Sequence, residues 1–190
     1  MDYTWTELDC VNLMLSVIGE APVSTLEVTG LLEVSVAKQV LKEVLIETLS
    51  KGWAWNTEED YPVVPDVSCF INLPPTLLRL DAMNSEELNV VQRGTRLYDK
   101  QNHTFVFTKP VKLEVVLGLE YVDLPVEAKL FIAIRSARKF QKRFVSSDQL
   151  EHYTADDEAM ALVGLRDADS DSADYNILTD SHSVASILRR

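Results

Sequence analysis

The chain changes its hydrophobic period twice, and this switch limits its possible folds more than any motif it carries. Residues 4–18 and 31–51 repeat apolar side chains at spacings of three and four, as helices with one buried face do. From Trp53 to about Tyr121 the helical period fades and short strand-like runs take over. From Pro125 the helical period returns. Helices on both sides of a strand-rich stretch predict a helical body interrupted by a β insertion.

Punctuation residues sharpen the boundaries. In the first helix the stripe is Leu8, Val11, Leu15 and Ile18, and Thr4 with Glu7 fits a capping box. Gly19 can adopt the left-handed conformation that closes a helix, and Pro22 prevents continuation. The second helix presents Ala37, Val40, Leu41, Val44, Leu45, Thr48 and Leu49, with Lys38, Lys42 and Glu43 facing away and Gly52 as its cap. Two helices joined by an irregular connection predict an antiparallel pair.

In the middle, the runs on either side of Arg93 and Gly94 predict a hairpin. Residues 104–107 and the run VKLEVVLGL after Lys109 and Pro110 predict two strands joined by a tight turn. Pro62, Pro65, Pro74 and Pro75 put the flanking stretches in loops or at sheet edges. Pro125 suits the first turn of a third helix, whose stripe has Leu130, Ile134 and Ala137 on one edge, widened by Ala133, Phe140 and Phe144. A fourth helix is expected from near Asp148, capped by Asp148 and Glu151, to about Asp169. The last stretch, DYNILTDSHSVASILRR, has weak periodicity and apolar points at Ile177, Leu178, Val184, Ile187 and Leu188. The expected class is mainly α: a four-helix bundle-like body with a small inserted antiparallel β portion and an extended C-terminal tail. Its divisions are a helical hairpin at 1–52, a β-rich insertion at 53–122, a second helical pair at 123–173 and the tail at 174–190.

Charge narrows the function. The net charge is -12, which argues against a surface that wraps nucleic acid, because phosphate binding needs an excess of Lys and Arg. It still allows a protein that DNA passes through without adhering. Cys10 and Cys69 stand far apart in no paired motif and read as buried thiols of a reducing compartment. The first residues have neither a basic nor an apolar region of a secretory signal, and no run of about 18 apolar residues predicts a membrane span.

Catalytic signals are weak. Glu58, Glu59 and Asp60 are adjacent carboxylates, and glycoside hydrolysis needs two carboxylates that flank the bond. Neighbours on an extended chain point to opposite faces, so a solvated acidic turn is the simpler reading. His103, His152 and His182 lie at no ligand spacing from each other or from a Cys, and no cofactor or metal is expected. No phosphate-binding glycine loop or nucleophile elbow occurs. Trp5, Trp53 and Trp55 read as core or interface anchors.

One feature inverts the local charge. The segment RSARKFQKRF places Arg135, Arg138, Lys139, Lys142 and Arg143 along about two and a half turns of the third helix, the first four on one face. Such a face is either solvated and complementary to the negative helix end, or it contacts an acidic neighbour or DNA. Asp156, Asp157, Glu158, Asp167, Asp169 and Asp171 form an obvious complement. A head-to-tail ring would set one patch against the other.

Several stretches together resemble the tail tubular protein A family of short-tailed bacteriophages, the gatekeeper or head-to-tail adaptor. They are VNLMLSVIGEAPVSTLE, LSKGWAWNTEEDYPVVPDV, VVQRGTRLYD and RSARKFQKRF, in the family's order, with Tyr175 and Asn176 in a similar tail. The resemblance implies a virion protein without catalysis, assembled in the host cytoplasm as a homo-dodecameric ring near the portal. Its implied partners are the portal protein, the tail nozzle protein and tail fibres, with genomic DNA passing through unread. It also implies that the ring continues the DNA channel and helps retain and then release the genome. Residues 174–190 are expected to extend and dock on the portal. Subunit or portal contacts are expected at the basic cluster and at Tyr175, Ile177, Leu178, Ile187 and Leu188. The connection VTGLLEVS is more apolar than a solvated linker, and FINLPPTLLRLDAMNSEE matches only loosely. The alternatives are a tail-associated hydrolase of cell-wall or capsule glycan and a binding module unrelated to virions.

Overall fold

Helix α1 (Glu7–Val17) begins where Thr6 and Asp9 satisfy each other's backbone N–H groups, at 3.2 and 2.9 Å. The expected box of Thr4 and Glu7 is therefore displaced by one built two residues later. That start lets Trp5 precede the cap and pack on the helical core. At the other end Gly19 has φ +81, and the N–H groups of Gly19 and Glu20 reach the carbonyls of Ser16 and Leu15. This Schellman arrangement needs the left-handed glycine the sequence supplies. The Asn12 side chain then holds the next turn, accepting from Val23 N–H at 2.8 Å and donating to its carbonyl at 3.0 Å. The computed structural model describes residues 4–27, 31–82, 88–144 and 155–172.

Helix α2 (Leu32–Leu49) buries Val34, Ala37, Val40, Leu41, Val44, Thr48 and Leu49, close to the expected stripe. Helix α3 (Val126–Phe144) follows Pro125 directly but is rotated from expectation. Ala133, Ala137 and Phe140 are buried as expected, yet Phe131 and Ile132 join them, while Leu130 and Phe144 are exposed. Helix α4 (Ala155–Ser172) buries only Leu165 fully. The expected cap at Asp148 and Glu151 lies outside the described residues.

Strand β1 (Thr57–Val63) and strand β2 (Leu77–Ala82) both pair antiparallel with strand β5 (Val111–Leu117), which sits at the centre of a three-stranded sheet. Strands β3 (Val90–Arg93) and β4 (Arg96–Asp99) form a separate hairpin, and Gly94 takes φ +64 in its turn. The hairpin matches the expected one. The second expected hairpin does not form: residues 104–107 make only isolated bridges, from Thr104 to Asp99 and from Val106 to Phe70. β5 pairs instead with strands from much earlier in the chain.

These elements correct the expected class. The described residues are mixed α/β, with four helices and two antiparallel sheets, and do not form a mainly α four-helix bundle. A four-helix bundle needs an apolar stripe from every helix. α1, α2 and α3 provide one each, but α4 is polar over most of its surface and lies against α3 as a flank. The sheets also have their own core, built from Val63, Ile71, Leu97, Phe107, Leu113 and Val115 among others.

The two cores meet at the end of α2. Gly52 has φ +74, a left-handed conformation that favours glycine, and a Cβ there would lie 3.1 Å from Val116 Cγ2, tight against the sheet. Asn56, 2% exposed, accepts from Trp53 N–H at 2.8 Å. It donates to the carbonyls of Leu49 at 3.0 Å and Leu117 at 2.8 Å. One side chain therefore ties the last turn of α2 to the end of β5. Trp53 donates its indole N–H to the Thr48 carbonyl and stacks on Trp55 at 6.4 Å, and Asp169 of α4 accepts from Ala54 N–H.

Candidate functional site

The basic face of α3 lies over acidic side chains of the same chain. Arg135 pairs with Glu47 at 3.1 Å, Lys139 with Glu47 at 2.7 Å and Glu43 at 3.2 Å, and Arg143 with Glu43 at 2.6 Å. Spacings of four on both helices make this a ladder. The order 47 to 43 against 135 to 143 means that α2 and α3 run antiparallel here. On the other side Arg135 and Arg138 both reach Glu158 of α4, at 2.8 and 2.7 Å. The six side chains Glu47, Arg135, Arg138, Lys139, Lys142 and Glu158 surround a hollow of about 320 Å³. Of the acidic series expected as the complement, Glu158 meets the cluster. Glu43, which the sequence placed on the face away from the core, and Glu47 supply the rest.

The ladder sets its own electrostatics. A hydrogen bond from Lys139, then from Arg143, holds the Glu43 carboxyl below the usual carboxylate range. Lys139, then Arg135, does the same for Glu47. Glu47, then Glu43, raises Lys139 above an ordinary lysine. The depressed carboxylates contribute stability above their unfolded values, and it is lost as pH falls through their folded values. The raised lysine contributes below its unfolded value and loses this only as pH climbs through its folded one. Stability should therefore be flat near neutrality and fall in acid, below about pH 4.5 where unfolded carboxylates start to bind protons. Thermal melts between neutral and acid pH should show this fall, and Lys139→Met should begin lower and decline less steeply. A wild-type melting temperature that stays constant into acid would contradict the ladder's role.

Next to the ladder lies an open apolar groove of about 380 Å³ between α3 and α4. Leu130, Ile134, Met160, Ala161 and Leu165 line it, and Glu127 and Asp157 are its acidic members. Leu130 is 49% exposed and Met160 74%. Sequence periodicity counted Leu130 and Ile134 as core. They are the wall that α4 leaves uncovered, because Gly164 adds no side chain at the groove.

The other expected sites separate. Glu58, Glu59 and Asp60 are all exposed on β1, and Asp60 is paired with Lys112 at 3.0 Å, so they form no facing acid–base pair. His103 is exposed in the turn after β4. His152, His182, Tyr175, Ile177, Leu178, Ile187 and Leu188 lie outside the described residues. Among the described residues no group of His, Cys, Asp and Glu is arranged to hold a metal, and no helix is long and apolar enough to cross a membrane. Cys10 is buried and Cys69 half-buried, both as free thiols, and burial pushes the Cys10 thiol up to about 12.

Turns of the β region are fixed by carboxylates. Asp66 accepts from the N–H groups of Phe70 and Ser68 and from the Asn72 side chain, which hold its carboxyl below the usual range. Arg96 lies over the Phe70 ring at 4.5 Å and Arg93 over Tyr98 at 3.6 Å. Asn12, Gly19, Gly52, Asn56, Asp66 and Gly94 thus all serve turns and junctions.

Comparison with known proteins places this architecture beside one family. The family model described as Tube: Tail tubular protein matches residues 8–175. A relative, tail tubular protein A of Klebsiella phage KP34, is 33% identical over 127 residues, which cover 67% of this chain and 67% of the relative.

Proposed function

The chain belongs to the tail tubular protein family, and from that premise we propose that it is a ring-forming adaptor between portal and tail nozzle. Membership makes it a structural component of a phage tail. In the finer reading, a homo-dodecamer assembled in the host cytoplasm sits next to the portal in the virion, continues the DNA channel and helps retain and then release the genome. Tail fibres are a further partner. The net charge of -12 supports this reading, since an acidic wall repels the DNA backbone instead of gripping it.

The observation that carries the proposal is the family match from residue 8 to residue 175. We assign the helical body to residues 1–52 and 123–173, the β-rich insertion to 53–122 and the portal-reaching tail to 174–190. Arg135, Arg138, Lys139 and Arg143 keep side-chain exposures of 22 to 36% beside their internal partners, so their outer edges, with Lys142, can meet a neighbouring subunit. Tyr175, Ile177, Leu178, Ile187 and Leu188 are the portal contacts of the proposal.

Deleting residues 174–190 should leave a folded subunit that no longer joins portal, measured by co-sedimentation. A truncated chain that binds portal with full affinity would contradict the assignment of the tail.

A further inference from the structure

We propose that residues 184–190 of the same chain dock in the groove between α3 and α4. The groove presents large apolar side chains that nothing in the described fold covers, with Leu130 and Met160 on opposite walls. Covering such a surface is favourable in proportion to the apolar area removed from water. Its lining includes two acidic residues, Glu127 and Asp157, and no basic one.

The end of the chain has the matching chemistry. Val184, Ile187 and Leu188 put three branched apolar side chains within five residues of sequence. Arg189 and Arg190 follow immediately, opposite in charge to Glu127 and Asp157. Apolar points to fill the groove and cations to meet its acidic side therefore occur together in one short segment.

Reach favours the same chain over a second copy. The α4 wall of the groove extends from Asp157 to Leu165, and α4 ends at Ser172. Returning from Ser172 to Met160 along a helix is a distance of roughly 18 Å. The intervening residues 173–183 can span up to about 36 Å when extended. A short tether gives an effective concentration on the order of millimolar, well above that of another copy in a dilute solution. Docking in this way conceals the apolar end of the chain and the groove together until a partner separates them. The inference concerns the free chain and holds whether or not the tail later engages a portal.

Methionine methyl NMR tests it, because the sequence has four methionines and Met160 lines the groove while Met14 lies in the helical core. Deleting residues 184–190 from the full chain should shift the Met160 methyl resonance and leave that of Met14 in place. The double substitution Ile187→Asp with Leu188→Asp should produce the same shift without shortening the chain. Both effects should be independent of protein concentration. An unmoved Met160 resonance in both variants would overturn the proposal. A shift that disappears on dilution would overturn it too, since a second copy would then be the occupant.

Discussion

Replacing Asn56 with alanine is expected to destabilise the fold by about 3 kcal/mol, because each buried polar group left without its partner costs about 1–3 kcal/mol and water can relieve part of the loss. Three groups lose their partner at once: the carbonyls of Leu49 and Leu117 and the N–H of Trp53. They belong to the end of α2, the end of β5 and the turn that follows α2, so the loss separates the helical core from the sheet core. Asn56→Asp keeps the acceptor for Trp53 but gives up both donors and should be nearly as damaging. Denaturant unfolding of the two variants measures this directly. A loss below about 1 kcal/mol in both would mean that the junction is held by Trp53 packing and the Gly52 approach, since that is the net contribution of an ordinary hydrogen bond.

Glu158→Ala is expected to destabilise by about 2 kcal/mol, between the small contribution of an exposed ion pair and the several kcal/mol lost when a buried pair is broken. Glu158 is 19% exposed and is the shared partner of Arg135 and Arg138. Arg135 retains Glu47, but Arg138 has no other ion pair among the described residues. The effect should be local. α4 is attached by this clamp, by Leu165 and by the bond from Ala54 N–H to Asp169, so amide exchange should rise in α4 and stay unchanged in α1. Glu47→Ala should do less, because Lys139 and Arg135 keep Glu43 and Glu158. Equal exchange in α4 of wild type and Glu158→Ala would contradict the clamp.

The sequence carried the helices well where local rules decide. The period of three and four, Gly19 and Pro125 mark α1, α2 and α3 to within a few residues, and Gly94 marks the hairpin. Each of these signals acts over one or two turns of chain. The centre of the sheet was out of reach because its pairing is non-local: Thr57 lies opposite Val116 and Leu77 opposite Leu117. The run 104–107 looked like the natural partner of β5 only because it comes just before it. α4 has the length of a bundle helix, but its buried face reduces to Leu165, which periodicity does not reveal.

The basic cluster was visible, but its partners were not. Arg135, Lys139 and Arg143 repeat at spacings of four, and so do Glu43 and Glu47, yet the two series are 88 to 100 residues apart. Matching repeats of opposite charge on two helices were the available signal. The groove escaped for a related reason, since Leu130 and Ile134 are apolar at helical spacing whether α4 covers them or not.

The adaptor reading is tested most directly by mixing the purified chain with its cognate portal and weighing the product by native mass spectrometry. The account predicts a discrete complex carrying about twelve copies of the chain in a closed ring. No association with portal at any ratio of the two would contradict it.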